Sequence, residues 1–444
     1  MNTKLVAIIA AVVVVVAGAA AAVFMLNNGD KGETHDENFR LYIYGNANGD
    51  NNLDQKDVDT LNKIIKDGTW DKKTNPYADA NQDGNIDSKD VEAVQNFIAG
   101  KSQKMYYMSS EWDVRDLMFP LDSSKIAVTL DYGLIVCSIL GIYDKVAGVE
   151  HKLLAKGEIR YPGLHGLQDL SDQRKDATNF IDNIVSNNYT VVMGRPYLDT
   201  YTDLKNSPSP CEHIMLNYTK DYGNGMDNIS ALLMTSYMFN IPAKGHAYCD
   251  YFDKIVNNIS DKVGNATAKT FIMPYADVPF ETDVTEVTVE TEATTGGSYG
   301  TYWFASLLPL ENKAEKAVDG EYSMLLENII TADPDYIFVT LWGINDDDAP
   351  ETAQAYFDDF AKIFEKTRAY REGHIYGMSY EAVGTQLAVG SLPLLASYIW
   401  PDTFSHEDGY KVLQETYDNY SDLKDGVDVK TLGGLLVYQA NTKA

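Results

Sequence analysis

The sequence predicts an α/β fold in two comparable halves, preceded by a small all-α module. Three observations predict it. From residue 105 onward, short apolar strands alternate with helical stretches, the pattern of α/β layers. One helical stretch, 228–264, divides that region, with similar groups of strands before and after it. Ahead of both halves, residues 39–104 repeat one phrase twice, an acidic loop running into a helix.

The chain begins with an uncharged apolar run, Leu5–Leu26, and a bilayer crossing takes roughly 20 such residues. Only Lys4 precedes it and the acidic stretch Asp30–Glu37 follows, so charge asymmetry places the N-terminus in the cytoplasm and the rest outside. Residues 1–26 read as an uncleaved transmembrane anchor, and 27–38 as a polar linker. A cleaved signal peptide is the competing reading, although its apolar core would be about 7–15 residues. The net charge of −29 argues against a nucleic-acid partner, which needs a basic face. Three cysteines make no disulfide framework; Cys211 and Cys249 are the two able to pair, leaving Cys137 over.

The module carries the most specific signal. Its first loop sets Asn46, Asn48, Asp50, Asp54 and Asp57 at positions 1, 3, 5, 9 and 12, with Asn52 at position 7. Its second sets Asp79, Asn81, Asp83, Asp87 and Asp90 at the same positions, with Asn85 at position 7. An apolar residue fills position 8 (Leu53, Ile86), and position 6 holds a residue able to take positive φ (Asn51, Gly84). Calcium needs six to eight oxygens around a tight turn, and this spacing supplies them twice in an EF-hand-like arrangement. The duplicated loops resemble the dockerin type I family, which implies two calcium sites and a cohesin-type partner. The first loop departs from the family at Asn46 and Asn51, which implies weaker binding there.

In the α/β region, strands are expected at Lys125–Leu130, Lys145–Val149, Tyr189–Met193, Thr270–Met273 and Tyr336–Leu341, with a hairpin at Tyr106–Phe119. Glu281–Thr295 reads as an extended, exposed segment. The two halves share a phrase: Asp182-Asn183-Ile184-Val185 precedes one buried strand, and Glu327-Asn328-Ile329-Ile330 precedes another. Further phrases are Ser124-Lys125-Ile126-Ala127-Val128, Asp333-Pro334-Asp335-Tyr336, Arg371-Glu372-Gly373-His374-Ile375-Tyr376 and Tyr398–Phe404. In this order they resemble the substrate-binding proteins of ABC importers that capture iron-siderophores, haem or cobalamin. The resemblance implies two Rossmann-like lobes, 105–227 and 265–444, joined by a single long helix, with Tyr398–Phe404 in the closing helix. It also implies that Asp182 and Glu327, one acid per lobe, pair with arginines of a membrane permease working with its ATPase.

Ligands of α/β lobes meet the loops at the carboxyl ends of strands. Those loops here carry Tyr132, His165, Arg195 and Tyr197 in the first half, and Tyr299, Tyr302, Trp303, Trp342 and Tyr380 in the second. Tyr and Trp offer flat faces with a polar handle, and Arg195 offers a fork for an oxyanion. Such a cleft suits a planar or anionic metal chelate. The histidines show no metal-ligand spacing, and no Gly-x-Ser-x-Gly elbow, P-loop or His-Glu-x-x-His motif is present. The expectation is a non-enzymatic, membrane-anchored, extracellular binding protein for an iron chelate, then cobamide or haem. A calcium-dependent surface scaffold or adhesion protein is the alternative.

Overall fold

The computed structural model describes residues 39–219, 226–264, 269–277, 283–294, 302–318, 320–345 and 347–442. The anchor 1–26, the linker 27–38 and Tyr299 lie outside the described residues. Among the described residues, no helix is long and apolar enough to cross a membrane.

The module comes first. Loop 46–57 runs into α1 (Gln55–Asp67), and loop 79–90 into α2 (Ser88–Ile98). Each helix is started by its own loop: Asp54 or Asp87 caps it, and Asp57 or Asp90 closes a capping box. Val58, Leu61 and Ile64 meet Val94 over Ala47, Ala78 and Ala80 to make a small core. A hairpin follows, β1 (Gln103–Met108) antiparallel to β2 (Val114–Phe119). Ile43 bridges to Tyr107, and Phe97 meets Phe119 edge-on at 5.4 Å. A boundary between 104 and 105 therefore falls inside a strand, because the hairpin packs on the module and the first lobe alike.

The first lobe contains β3 (Ile126–Val128), α3 (Asp131–Leu140), β4 (Val146–Val149), β5 (Gln168–Asp169), α4 (Ala177–Ser186), β6 (Val191–Met193), α5 (Leu198–Lys205) and β7 (Glu212–His213). Its sheet runs β5-β4-β3-β6-β7, all parallel. Phe180 and Ile184 lie one turn apart on α4 and are fully buried against Tyr189 and Val192, each side chain contributing roughly 2 kcal/mol.

The dividing stretch is two helices, broken at the Asn240-Ile241-Pro242 interruption that its sequence carries. Every residue of α6 (Asn228–Met238) is buried, so it belongs to the core. Asn240 takes φ 56° and Pro242 opens α7 (Pro242–Val263), because a proline without an N–H starts a helix well and continues one badly. Only α7, 22 residues and about 33 Å long, joins the lobes, touching α3 on one side.

On its other side α7 touches the helix Leu392–Ile399 of the second lobe. That lobe contains β8 (Lys269–Asp277), β9 (Glu286–Glu290), α8 (Tyr302–Ser306), β10 (Leu310–Asn312), β11 (Glu321–Leu325), α9 (Leu326–Ala332), β12 (Tyr336–Trp342), α10 (Pro350–Ala361), α11 (Arg368–Glu372), β13 (Ile375–Ser379), α12 (Tyr380–Val383), α13 (Leu392–Ile399), α14 (His406–Tyr420) and β14 (Val437–Gln439). The sheet runs β11-β9-β8-β12-β13-β14, with β10 beside β8. Its centre, β8, β12 and β13, is parallel. Two expectations are corrected here. Residues 286–290 are extended but buried on one face: Val287, Val289 and even Glu290 are buried while Glu286 is exposed, because β9 pairs with both β8 and β11. Tyr398–Phe404 is the end of α13 and a turn, and α14 follows it.

The three cysteines are buried and none forms a disulfide, so Cys211 and Cys249 do not pair. Cys211 packs beneath α4, whereas Cys249 lies on α7.

Candidate functional site

Two places concentrate chemistry: the junction between the lobes and the acidic loops.

The junction is built at the carboxyl ends of the central strands. Asp131 and Tyr132 begin α3 just after β3, and Tyr380 and Glu381 begin α12 just after β13. Lys156 and Arg160 follow β4 on a long loop. Lys156 Nζ lies 3.1 Å from Asp131 Oδ2 and also pairs with Glu381. Arg160, 2 % exposed, donates from Nη1 to Glu381 Oε2 at 3.0 Å, and its guanidinium lies over the rings of Tyr161 and Tyr417. Two first-lobe cations thus meet one second-lobe carboxylate, and Lys156 holds Asp131 as well. Burial pushes Glu381 up, but Lys156 and then Arg160 outweigh it and hold the carboxyl below its ordinary value. Asp131 goes the other way: burial raises it, and the nearby Glu381 carboxylate adds to the rise.

Beside the charges stands an aromatic cluster. Trp342, at the end of β12, stacks on Tyr380 with centroids 3.6 Å apart and planes at 23°. Tyr380 meets Tyr132 of the other lobe edge-on at 6.0 Å. Trp342 Nε1 is buried with no hydrogen-bond acceptor among the described residues. Of the nine residues predicted to line the cleft, the structure brings these three together.

The others lie elsewhere. Arg195 has its described ties within the first lobe. Its N–H donates to Thr129 Oγ1 at 2.9 Å, and its charge acts on buried Glu150. That carboxyl is pushed up to about 6 by burial, with Lys152 and Arg195 pulling it back. The preceding Gly194 takes φ 127°, and a Cβ there would stand 2.5 Å from Thr129 Oγ1, so the close turn needs glycine. Tyr197 is half-buried at the start of α5. His165 is exposed and bonds its own loop, Nε2 lying 3.0 Å from the Lys156 carbonyl. Tyr302 stacks on Phe271 at 6.3 Å, deep in the second lobe. Tyr299 and the Trp303 side chain are outside the described residues.

Sequence reading missed Asp131, Lys156, Arg160 and Glu381 as a set. A signal was present: each half has an acid directly beside an aromatic, Asp131-Tyr132 and Tyr380-Glu381, where a strand turns into a helix. Asp182 on α4 and Glu327 on α9 are both exposed. Each sits on the helix leading into a strand of its lobe's sheet, β6 or β12.

The two acidic loops share one bonding pattern. Asp57 accepts from Asn48 N at 3.2 Å and Asp54 N at 2.8 Å; Asp90 accepts from Asn81 N at 3.2 Å and Asp87 N at 2.9 Å. Lys56 lies 3.9 Å from Asp50, and Lys89 lies 3.1 Å from Asp83. Burial pushes Asp57 up to about 7 and also raises Asp90. Among the described residues, no three His, Cys, Asp or Glu side chains converge on a metal position. A calcium shell can also draw on asparagine and backbone oxygens, which lie outside that set of His, Cys, Asp and Glu side chains. Asn46 fits it directly. Its Nδ2 donates to the carbonyls of Leu41 at 2.9 Å and Asp50 at 2.6 Å, which leaves a buried Oδ1 without a donor among the described residues. An oxygen-seeking cation would satisfy that atom and offset the buried Asp57 charge.

Asn51 departs from expectation. The loop's positive φ falls at Gly49 (75°), and Asn51 is not in the left-handed region. Its side chain is otherwise engaged, accepting from Leu41 N at 3.1 Å and donating to the Phe39 carbonyl at 3.3 Å. In the second loop, Gly84 does take positive φ, 89°.

One prediction follows for Asn46→Asp. The new carboxylate would face two carbonyls that now accept from Nδ2, so the calcium-free chain should lose about 1–3 kcal/mol. Calcium should restore it, giving a larger calcium-induced thermal shift than wild type. A smaller shift would show that Asn46 faces away from the ion.

Comparison with known proteins agrees with this division. The dockerin type I domain model matches residues 44–99. A TroA-like periplasmic binding protein, FepB from Veillonella parvula, aligns with a TM-score of 0.57 at 13 % identity, covering 76 % of this chain and 99 % of that one. A periplasmic solute-binding protein from the same organism gives 0.51 at 15 % identity, covering 74 % and 97 %. Helicobacter pylori CeuE, solved as a Ni–His complex, gives 0.50 at 12 % identity, covering 73 % and 97 %. A search of curated proteins by sequence finds no match. At these identities the likeness is one of fold, and the similar structures are binding proteins.

Proposed function

We propose that this chain is an extracellular solute-binding protein that delivers an iron chelate of the siderophore type to an ABC importer. Leu5–Leu26 would hold it at the cytoplasmic membrane with its bulk outside, and loops 46–57 and 79–90 would each take one calcium ion.

The observation that carries the reading is the junction. Two lobes with parallel strands meet across a single 22-residue helix, and the meeting place sets a Trp342–Tyr380 stack beside Lys156 and Arg160. Flat faces suit aryl or macrocyclic planes. The cations suit anionic oxygens once Glu381 withdraws on opening, since the lobes share that ion pair. Cobamide and haem also offer planes and carboxylates or amides, so they are further arms of one test. Asp182 and Glu327 would then dock the loaded protein on permease arginines.

The test is a tryptophan-quenching and thermal-shift screen of the chain at fixed calcium, against ferric siderophores, haem, cobalamin and free divalent metals. Saturable quenching by one chelate is expected, with affinity lowered about tenfold in Trp342→Ala, a stacking loss of ~1.4 kcal/mol. Silence toward every chelate, with a large calcium shift, would instead favour the calcium-dependent scaffold. A paired Asp182→Arg, Glu327→Arg variant should bind cargo normally yet lose about tenfold or more in stimulating the importer's ATP hydrolysis. Unchanged stimulation would remove both acids from the docking surface.

A further inference from the structure

The calcium module is seated on the hinge between the lobes instead of hanging from it. Tyr237, in the last turn of α6, carries the contact. Its hydroxyl accepts from Leu53 N at 3.2 Å, lies 3.5 Å from the Asn51 carbonyl, and meets His246 Nε2 on α7 at 2.9 Å. One hydroxyl therefore ties loop 46–57 to both helices flanking the 239–241 turn. A second tie runs from Arg40 N to Ser230 Oγ on α6 at 2.7 Å, with Asn51 holding the same N-terminal segment through Leu41 and Phe39. Gly100 closes against the Asn240 side chain, and Leu121 N donates to the Met238 carbonyl at 2.9 Å. Among the described residues, no hydrogen bond joins loop 79–90 to α6 or α7.

We infer that calcium in loop 46–57 sets the stiffness of the lobe-joining hinge. A bound ion fixes the backbone at positions 5 to 8, which includes Asn51 and Leu53. Those two groups hold the Tyr237 hydroxyl, and the hydroxyl holds α6 and α7 in register across Asn240. Without the ion, the loop keeps its fold less firmly and the two helices are freer to re-angle. Calcium and lobe motion are then linked, and linkage runs both ways.

The test is amide hydrogen exchange of the full-length chain in detergent micelles, with and without calcium and with no cargo. Calcium should slow exchange over residues 237–251 by about tenfold, within the ordinary range of coupling between sites. Asp50→Ala should abolish that protection. Tyr237→Phe, held at saturating calcium, should retain slow exchange in 44–99 but lose it in 237–251. Protection confined to 44–99 in the wild type, or undiminished at 237–251 in Tyr237→Phe, overturns the inference. Its consequence for cargo delivery rests on the proposed function, but this readout does not: failure to bind any chelate would leave the calcium-to-hinge result standing.

Discussion

Replacing Glu381 with alanine should destabilise the chain by about 3 kcal/mol or more, the usual penalty for removing one partner of a buried ion pair. Glu381 is the carboxylate of the second lobe that meets both Lys156 and Arg160 of the first. Lys156 keeps Asp131 at 3.1 Å, whereas Arg160, whose side chain is 1 % exposed, loses the carboxylate to which Nη1 donates. Glu381→Gln keeps an acceptor and should cost about 1–2 kcal/mol. Replacing Arg160 and Glu381 together with apolar residues should recover part of the loss, because the buried guanidinium leaves with its carboxylate and Lys156 still has Asp131. The pH dependence has a definite sign. Lys156 and Arg160 hold the folded carboxyl below its ordinary value, so this stability is present above the usual glutamate range and fades as pH falls through the folded value. Urea denaturation of the three variants checks the order; equal costs for alanine and glutamine would mean that the charge does not hold the junction.

Part of this molecule was legible from local pattern alone. The acidic loops announce themselves because every ligand position falls within twelve residues, and the same residues cap the helices that follow. The strands β3, β4, β6, β8 and β12 each fall within or across an expected apolar run, since burial on both faces writes itself as consecutive aliphatics. The junction was only half legible. Tyr132, Trp342 and Tyr380 could be placed at strand ends, but the pairing of Arg160 with Glu381 spans 221 residues and leaves no local trace. Arg195 and Arg160 look alike in sequence, each following a strand of the first half. Glu150 answers the charge of one and Glu381 that of the other. Segment 286–290 misled for a related reason. Its glutamates suggested solvent, while the alternation of Val287 and Val289 recorded the buried face that decided its place.

Acidification should weaken the fold through His213 by about 3 kcal/mol between pH 6.5 and 4. This histidine ends β7 at the edge of the first lobe's sheet and is 2 % exposed. Burial disfavours the imidazolium and brings its pKa down to about 4 from an ordinary 6.5. Well above pH 6.5 the ring is neutral in both states and contributes nothing to pH dependence. Below 6.5 the unfolded chain gains a proton that the folded chain refuses, so stability falls by about 1.4 kcal/mol per pH step until the folded ring also titrates. His213→Leu should flatten that limb. Asp57 must be kept apart from it, because burial pushes its carboxyl up to about 7 and gives the opposite sign: without calcium, ionising it weakens the fold as pH rises. Comparing wild type with His213→Leu at one calcium concentration cancels the loop contribution. If the difference between the two curves is constant from pH 7 to 4, His213 accepts its proton in the folded chain as readily as in the unfolded one, and a buried, neutral ring cannot be the reason the first lobe weakens in acid.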